Sequence, residues 1–498
     1  MSSAVVVGSG PNGLAGAAVL ARAGLDVTVL EAAGEIGGGT RTAGSIVPGL
    51  IHDHCSAFHP LAVGSPVILS LDLERYGLRW CLPEVDCAHP LDGGTVALLY
   101  QSLDKTAAGL GVDGNRWRSI FAESAASFDL LKQDILRPIF RIPHHPLLLA
   151  RFGIPALTPA TMLARLFRSE QARALFAGVA AHALVPLDRA LSSSIGLGII
   201  IAGHRNGWAV AEGGSRRITD ALAALLAELG GKVETGVRVR SVNELPRADV
   251  SLWDLAPTAL ADVLGSRLPP RVERAYRSFR YGPAAFKVDF AVDGGVPWTA
   301  AGARRAGTVH LGGNFEEIAA TTRAVNRGQM PERPFVLVGQ QYLADPQRSV
   351  GNIHPVWSYA HVPNGWTGDA TGKIIAQIER FAPGFRDRII GTAPFTAEDF
   401  AEWNPNYVGG NILTGAKDCK QMLIGPRATI QPYDTGIPGH FLCSSATPPG
   451  PGAHGMCGAN AARRALDYLG IRPYSATMGG SLDQGWGINP SREASRIK

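Results

Sequence analysis

Cysteine is scarce in this chain of 498 residues, and long apolar runs are absent. The six cysteines include no Cys-x-x-Cys pair, which excludes a redox dithiol and a zinc ribbon. Scattered cysteines in so long a chain predict free thiols in a reducing cytoplasm. No apolar run reaches the roughly 18 residues of a transmembrane helix, and no basic segment precedes the apolar start. We therefore expect neither a membrane span nor a signal peptide.

Charge of one sign is also not in large excess. The formal net charge is +5, and no run of about five like charges occurs, so the chain is not expected to bind nucleic acid. Hydrophobic residues make up 46% and charged residues 18% of the chain, which excludes disorder as its main state. At about 100–200 residues per domain, the length predicts several domains' worth of chain.

Glycine is the residue in surplus. The 60 glycines follow no Gly-X-Y period, which excludes collagen. They cluster at residues 8–13, 37–39, 213–214 and 450–458. Glycine is needed where the backbone turns tightly or approaches a ligand closely, so these clusters predict a binding site built from distant parts of the chain.

The first cluster, Gly8-x-Gly10-x-x-Gly13, stands between a short apolar strand and an Ala/Leu-rich helix. In such a motif the first glycine permits the turn, the second admits a pyrophosphate, and the third lets helix and strand pack closely. The helix N-terminus then faces the phosphates with free N–H groups. Glu31 closes the next strand, where a carboxylate can bind both hydroxyls of an adenosine ribose. The pattern predicts a dinucleotide site.

Glu31 followed by residues 37–42 (Gly-Gly-Gly-Thr-Arg-Thr) resembles the extended signature of FAD-dependent amine oxidases and phytoene desaturases. The arginine usual directly after the glycine pair is Gly39 here, and we expect Arg41 to take its place. The resemblance implies FAD as cofactor. It also implies a set of cofactor-binding residues: Gly8, Gly10, Pro11, Asn12, Gly13, Glu31, Gly38, Gly39, Thr40, Arg41, Val239, Ser445, Gly452, Gly455 and Met456.

Further segments extend the resemblance from residue 4 to about residue 470. Residues 208–214 and 239–242 look like the central FAD segment, and residues 442–458 look like the C-terminal flavin motif. Segments between residues 344 and 412 look like the substrate domain of phytoene dehydrogenase-like oxidoreductases. A second Gly-x-Gly-x-x-Gly, at residues 109–114, has no strand before it, so no NAD(P)H-binding domain is expected.

These patterns predict an α/β fold. A Rossmann-type FAD-binding domain with a parallel sheet is expected from residues 1–75, 206–275 and 425–472. An α+β substrate domain with an antiparallel sheet is expected from residues 76–205 and 276–424, the former part being helical in texture. Residues 473–498 are expected to form a polar tail. Strands are predicted at several places outside the first motif: 237–242, 280–292, 335–343 and 353–361.

The resemblance implies an FAD-dependent oxidoreductase. It would take a hydride from a small molecule to flavin N5 and be reoxidised by oxygen or a quinone. The apolar segment 140–168 suggests an apolar or amphipathic substrate. Three alternatives remain open: an amine oxidase-type enzyme, a flavin-dependent isomerase without net redox change, and a non-enzymatic flavoprotein that binds a partner. The C-terminal motif has Pro448 where desaturases commonly have histidine, so phytoene is not carried over as substrate.

Two groups of histidines need separate interpretations. His454, in the C-terminal glycine loop, is the candidate catalytic residue, as proton acceptor or as hydrogen-bond partner of reduced flavin; the alternative is a loop histidine bonded to backbone. Residues 52–59 (His-Asp-His-Cys-Ser-Ala-Phe-His) are interpreted as a tight polar loop. A metal site and covalent flavin attachment there are the alternatives, and no metal is predicted.

The apolar stretch at residues 140–149 has basic flanks. It is interpreted as a helical insertion with a buried face, with an interfacial patch or a lid as the alternatives. The free cysteines and the lack of a signal peptide predict a cytoplasmic protein, and the family resemblance implies a small-molecule substrate. Peripheral membrane contact and a homo-oligomer are left open.

Overall fold

A computed structural model describes residues 2–44 and 46–472 of the chain. The predicted tail, residues 473–498, lies outside the described residues. Two large sheets dominate the described part, and the helices cover their faces. None of the helices in those ranges is both long and apolar enough to cross a membrane.

The first sheet has five strands, and every neighbouring pair is parallel. In spatial order the strands are His440–Leu442, Val250–Trp253, Ser3–Val7, Asp26–Leu30 and Lys232–Glu234. The parallel sheet expected from the glycine motif is therefore confirmed. Its strands come from the start, the middle and the end of the chain, although the exact domain bounds stay a prediction.

Three helices pack against this sheet: Pro11–Arg22, Arg216–Glu228 and Met456–Leu469. The first and the last meet backbone to backbone, because a Cβ on Gly458 would overlap the Asn12 oxygen and one on Gly16 would lie 3.1 Å from the Gly458 oxygen. Small residues at this crossing hold the C-terminal loop against the N-terminal glycine motif.

The predicted strand at residues 237–242 is wrong. Lys232–Glu234 is already the edge strand of the sheet, and a short 3₁₀ turn, Val242–Glu244, follows the loop. Only Val239 is buried between residues 237 and 241. One buried side chain in an exposed stretch does not supply the half-buried face that a strand needs.

The second sheet has seven strands. In spatial order they are Ile389–Phe395, Ala284–Asp293, Ile353–Val362, Val336–Gly339, Ala306–Leu311, Val85–Pro90 and Val96–Leu99. The expected antiparallel sheet needs a correction, because Ala306–Leu311 pairs in parallel with Val85–Pro90 and makes the sheet mixed. Those last two strands come from the part of the chain predicted to be helical, and a crossover rather than a hairpin brings them beside Ala306–Leu311.

Further helices lie on and between the sheets. They are Pro60–Val63, Pro66–Ser70, Leu103–Gly109, Gly114–Ala126, Phe128–Ile135, Pro146–Leu157, Ala160–Ala164, Glu170–Ala180, Ser192–Asn206, Pro257–Leu264, Pro270–Arg277, Phe315–Asn326, Thr371–Phe381, Ala397–Trp403 and Cys419–Ile424. Two small antiparallel pairs join Thr42–Ala43 to His52–Asp53 and Trp80–Cys81 to Val210–Ala211. These pairs place the loop after the second glycine cluster between the two large sheets.

Candidate functional site

The first glycine loop is folded as tightly as its sequence requires. Gly8 has a φ of 104° and donates its N–H to the Leu30 oxygen at 2.8 Å. A Cβ on Gly13 would overlap the backbone oxygen of Gly8. Pro11 begins the helix, and its missing N–H costs nothing at that position. The loop therefore places a helix N-terminus at the carboxyl edge of the parallel sheet, where nucleotides bind in open α/β sheets.

Glu31 is fixed beside this loop. One carboxylate oxygen accepts from the Ser9 N–H at 2.9 Å and from the Ser9 hydroxyl at 2.6 Å, and the other accepts from the Ala33 N–H at 2.8 Å. The side chain is buried, so its orientation at the end of the second strand is set before any ligand arrives. The oxygen that accepts from Ala33 has a further lone pair for a ribose hydroxyl, whereas the other oxygen already accepts two hydrogen bonds.

The second glycine cluster closes over the first. The Gly37 N–H donates to the Ser9 oxygen at 3.1 Å, and a Cβ on Gly38 would lie 2.9 Å from the Gly10 Cα. Thr40 donates its hydroxyl to the Gly37 oxygen at 2.8 Å. A side chain on Gly39 would overlap the Tyr407 hydroxyl. Backbone contacts of this kind explain why this segment is glycine rather than any larger residue.

Arg41, which is expected to replace the arginine usual in the family, lies beside Glu31. Its guanidinium is 3.6 Å from the Glu31 carboxylate, stacks on Trp403 at 5.0 Å, and donates to the Trp403 oxygen at 3.2 Å. Its Nε and the Asn12 Oδ1 are buried without a hydrogen-bond partner. The free Arg41 donor beside a helix N-terminus fits an anionic group such as the FAD diphosphate, and the Asn12 oxygen fits a hydroxyl or N–H donor of the cofactor.

Asp254 belongs to this site although the motifs did not single it out. It follows the strand Val250–Trp253, and its carboxylate accepts the Gly13 N–H at 3.0 Å. A Cβ on Gly10 would lie 2.9 Å from the same carboxylate oxygen. Burial raises the pKa of Asp254 to about 7, the Gly13 N–H opposes that rise, and the Glu31 charge adds to it. Asp254 could have been found in the sequence as the first polar residue after a predicted strand of the nucleotide-binding sheet.

Asp254 predicts a pH-dependent affinity for FAD. The Asp254 carboxyl is neutral below about pH 7. The negative charge of a diphosphate would disfavour the ionised carboxylate. Above pH 7, FAD binding therefore requires that Asp254 takes up a proton. The dissociation constant of FAD is expected to rise about tenfold per pH unit above 7. The Asp254→Asn variant keeps an acceptor for the Gly13 N–H and should lose this slope. Quenching of FAD fluorescence by the apoprotein between pH 6 and 9 measures it.

Asp249→Asn is the matched control for that titration. Asp249 precedes the same strand at its other end, where its carboxylate accepts from the Ser3 N–H at 2.8 Å. This variant should keep the wild-type slope. An unchanged slope in Asp254→Asn would contradict the assignment.

The C-terminal loop reaches the same edge of the sheet. Gly455 has a φ of 69°, and its Cβ would lie 2.8 Å from the Ala15 Cβ on the first helix. Met456 begins the final helix directly after it. Gly452, with a φ of 148°, lies against Leu61, and Ser445 is half-buried in the same loop. The structure thus brings residues 452–456 beside the first helix, as the distribution of the glycine clusters predicts.

Val239 lies on the other side of the sheet. It is buried in an apolar cluster with Val5 and Leu30. The neighbouring Val237 N–H donates to the Glu31 oxygen at 2.8 Å. The position beside Glu31 suits the adenine end of the cofactor, and the contact of each residue with FAD stays a prediction.

His454 is enclosed by the backbone of the C-terminal loop. Its Nδ1 accepts the Met456 N–H at 3.0 Å, and Ser65 donates its hydroxyl to the His454 oxygen at 2.6 Å. Burial lowers its pKa to about 4, a shift that a hydrogen bond with the Gly450 backbone opposes. The imidazole is therefore neutral at pH 7 and fixed at the start of the final helix. Its catalytic role stays a prediction.

The polar loop at residues 52–59 distributes its side chains to different partners. The His52 ring bonds the Phe290 oxygen at 3.1 Å, and the His59 ring bonds the Ser215 hydroxyl at 2.9 Å. Burial raises the pKa of Cys55 to about 11, so this thiol is protonated. Within residues 2–44 and 46–472, no three His, Cys, Asp or Glu side chains are arranged to hold a metal ion.

A buried charge cluster fixes this loop to both domains. Arg348 donates to the Asp53 carboxylate at 2.6 Å, to the Asp345 carboxylate at 3.0 Å and to the Ala211 oxygen at 2.7 Å. Asp53 also accepts from the Ser215 N–H at 2.7 Å. Burial acts to raise the pKa of Asp53, but the Arg348 charge and these hydrogen bonds outweigh burial and lower it. The cluster keeps the loop in one place between the sheets.

One face of the seven-stranded sheet meets the glycine loops through aromatic side chains. We call this set the aromatic cluster: Trp208, Phe335, Trp357, Tyr359 and Tyr407. Leu61 packs against the same apolar core and also lies against Gly452. The aromatic cluster is therefore continuous with the C-terminal loop.

Most polar groups around this cluster are neutral or paired. The exception is Asp86, which accepts the Trp208 N–H at 2.9 Å, has a buried Oδ2 without a hydrogen-bond partner, and has its pKa raised by burial to about 7. Lys287 forms an ion pair with Asp289, and both are buried. The His182 and His310 rings meet at 3.0 Å between their Nε2 atoms. Burial lowers the pKa of His182 to about 4 and that of His361 to about 3, the latter with help from His182. None of these groups was singled out by a sequence motif, because each lies alone in its own strand or turn.

The comparison with protein families decides between the flavin and nicotinamide interpretations of the glycine motif. Residues 12–262 match the model of the family described as "Flavin containing amine oxidoreductase". The chain belongs to this family. This flavoprotein uses FAD, and the unsatisfied Asn12 and Arg41 atoms fit the polar part of that cofactor.

Two curated relatives show which branches of the family are similar. "Pyridine nucleotide-disulfide oxidoreductase domain-containing protein 2" of Rattus norvegicus is 26% identical over 546 aligned residues, which cover 92% of each chain. Hydroxyneurosporene desaturase of Cereibacter sphaeroides is 30% identical over 263 residues, which cover 48% of this chain and 50% of the desaturase. The resemblance to the desaturase group is therefore confirmed.

Solved structures with the same fold include oxidases. Wild-type putrescine oxidase bound to putrescine superposes with a TM-score of 0.60 at 16% identity, covering 94% of this chain and 99% of the oxidase. An oxidoreductase from Methanosarcina mazei gives a TM-score of 0.60 at 16% identity, covering 93% and 100%. At this identity they establish the fold of the flavoprotein, an α/β FAD-binding unit with a second sheet.

Proposed function

We propose that this flavoprotein is a dehydrogenase or oxidase of an apolar or amphipathic small molecule. The substrate would give a hydride to flavin N5, and oxygen or a quinone would reoxidise the cofactor. Bound FAD supplies the two-electron acceptor for this reaction. The protein's own part is to bind the substrate, exclude water and fix its orientation.

The observation that carries this proposal is the uncharged character of the aromatic cluster and its surroundings. Large apolar rings adjoin the C-terminal loop through Leu61. His182 and His361, with lowered pKa values, are neutral at pH 7, and Lys287 and Asp289 cancel each other. Such walls stabilise apolar surface and give little charge to attract an ion, Asp86 with its raised pKa being the one unpaired carboxyl that contacts the described aromatic cluster.

A limited polar capacity remains and favours an amphipathic substrate over a pure hydrocarbon. The buried Nε2 of His361 and the indole N–H of Trp357 have no hydrogen-bond partner among the described residues. Each could bond a hydroxyl or carbonyl group of the substrate. A buried polar atom that stays unpaired costs about 1–3 kcal/mol, so the gain from pairing is substantial.

The amine oxidase alternative has weaker support in this chain. A protonated amine needs an anionic partner when it leaves water. Asp289 is the carboxylate on this sheet face in register with Trp357, and it already pairs with Lys287. A neutral substrate fits without breaking that pair.

Anaerobic reduction of the bound flavin tests the proposal. The purified holoprotein is mixed with a fatty alcohol, a polyene or a primary alkylamine, and the visible flavin absorbance is followed. We expect bleaching by a neutral compound and not by the amine. Reduction by the amine alone would favour the amine oxidase alternative. A product of unchanged mass would favour the isomerase. No reduction by any of these compounds would contradict the proposal and favour a non-enzymatic role.

The same assay tests His454. His454→Ala removes the acceptor for the Met456 N–H and any proton acceptor beside the flavin. A slower reduction with unchanged FAD content would support the catalytic prediction. An unchanged reduction rate would leave His454 as a backbone-bonded loop residue only.

A cytoplasmic location is also part of the proposal. All six cysteines are free thiols, four of them buried, as is usual in a reducing compartment.

A further inference from the structure

Exposed apolar side chains are concentrated in one part of the described chain. Half of the 16 large hydrophobic side chains that are exposed lie between residues 139 and 166. They are Ile139, Phe140, Ile142, Leu147, Ile154, Leu157, Met162 and Leu166. Ile142 is 92% exposed and Leu147 is 83% exposed. Single exposed apolar residues are ordinary, but a cluster of this size marks an interaction surface.

The charge of the same segment has one sign. Residues 135–168 contain five arginines and two histidines and no aspartate or glutamate. Arg141 and Arg165 are exposed, and neither forms an ion pair with a described residue. Met162 and Leu166 flank Arg165, which lines a cavity of about 390 Å³. The other two arginines of that cavity, Arg173 and Arg323, are paired with carboxylates, so Arg165 is its unpaired cation among the described residues. The surface therefore combines protruding apolar side chains with a basic surround.

The segment is also connected to the proposed substrate side. The helix Pro146–Leu157 buries Ala156, and its Phe152 packs against the apolar core that contains the aromatic cluster. Leu147 and Ile154 of the same helix are exposed on the outside. One helix thus contacts the core with one side and carries the exposed apolar residues on the other.

We propose that residues 137–168 dock on the surface of a bilayer that contains anionic lipid. Apolar side chains enter the boundary between headgroups and acyl chains, and the arginines bind lipid phosphates. Charge complementarity selects this occupant: Arg137 and Arg151 are neutralised by Asp134 and Glu123, but Arg141 and Arg165 remain exposed without an ion pair to a described residue, which suits an anionic lipid layer. A second copy of the same surface would bring arginines against arginines. The inference rests on the proposed function and adds to it, because a bilayer would hold an apolar or amphipathic substrate next to the helix that packs on the core containing the aromatic cluster.

Vesicle sedimentation tests the docking. The holoprotein is mixed with vesicles of phosphatidylcholine alone or of phosphatidylcholine with phosphatidylglycerol, at low and high salt. We expect binding to the anionic vesicles, loss of most binding at high salt, and weak binding to phosphatidylcholine. Equal binding to both compositions, or none to either, would overturn the proposal.

Two kinds of variant separate the apolar and the basic contributions. The double variant I142D/L147D should weaken binding to anionic vesicles by at least about tenfold, because two exposed apolar anchors are lost. Arg141→Glu and Arg165→Glu should each weaken it by about fivefold or more. The matched controls are Ile390→Asp, on the edge strand Ile389–Phe395, and Arg79→Glu, both exposed and outside the segment. The controls should bind as the wild type does.

The oligomeric state provides the competing explanation. If vesicles do not bind and light scattering shows a dimer that I142D/L147D converts to a monomer, the surface is an interface between copies and the lipid proposal is wrong. The assay involves no turnover, so its failure leaves the proposed hydride transfer untouched. If flavin reduction fails while vesicles still bind, the proposed function is wrong and the docking proposal stands.

Discussion

A Gly13→Ala variant is expected to be purified without FAD. The added Cβ would overlap the backbone oxygen of Gly8, and backbone in a turn this tight cannot move aside without opening the loop. Opening it also displaces the helix N-terminus that faces the diphosphate. We expect the affinity for FAD to fall by about 100-fold or more, which corresponds to about 3 kcal/mol. The ratio of flavin to protein absorbance after purification, and titration of the apoprotein with FAD, measure the loss.

Controls distinguish a cofactor defect from a folding defect. Gly34→Ala lies between Glu31 and the second glycine cluster, where a Cβ meets nothing within 4 Å, so this variant should retain FAD. Gly10→Ala brings a Cβ within 2.9 Å of the Asp254 side chain, which can rotate away, so the fold should survive while FAD binding weakens. A Gly13→Ala protein that keeps stoichiometric FAD would refute the assignment of the loop.

Removal of the Arg348 charge is expected to be the most destabilising single change in the interior. Arg348→Met leaves Asp53 and Asp345 as buried carboxylates without their cation. Breaking a buried ion pair by removing one partner costs about 3–5 kcal/mol of the free energy of unfolding. A urea titration of the holoprotein, with the fluorescence of its tryptophans as readout, should show the transition at a much lower urea concentration.

Matched variants identify the cause of that destabilisation. Arg79→Met removes an exposed guanidinium 3.9 Å from the Glu212 carboxylate and should cost about 0–1 kcal/mol. Adding Asp53→Asn and Asp345→Asn to Arg348→Met removes the uncompensated charges and should recover part of the loss. If Arg348→Met were no less stable than Arg79→Met, the buried cluster could not be what holds residues 52–59 between the sheets.

The ion pair between Asp53 and Arg348 also makes the stability of the fold depend on pH at the acid end. The pKa of Asp53 is lowered in the folded protein, so its ionised form stabilises the fold above the unfolded value near 4, and that stability is lost as the pH falls through the folded pKa. Asp254 acts in the opposite sense, since its pKa is raised to about 7 and its ionisation destabilises the fold as the pH rises. The two carboxyl groups therefore limit stability from opposite sides.

The local patterns predict much of the nucleotide-binding part because its requirements are local. Gly8, Gly10 and Gly13 act within one turn, and Glu31 ends the strand paired with the one before them. The strands Ala284–Asp293 and Ile353–Val362 are also predictable from local sequence, because their apolar residues alternate with polar ones. The strand predicted at residues 237–242 is absent from the structure. A short alternation of apolar residues does not show whether a neighbouring strand is free to pair with the segment.

The amino-acid sequence by itself determines the family, the cofactor and the positions of the glycine clusters, because a dinucleotide imposes fixed spacings on short segments. Only the tertiary structure decides that Asp254 reaches Gly13, that Arg348 joins Asp53 to Asp345, and that Val85–Pro90 turns the second sheet into a mixed one. It also decides that eight large apolar side chains between residues 139 and 166 are exposed rather than buried. Contacts between residues hundreds of positions apart depend on which faces pack together, and side-chain periodicity within a segment carries no record of that choice.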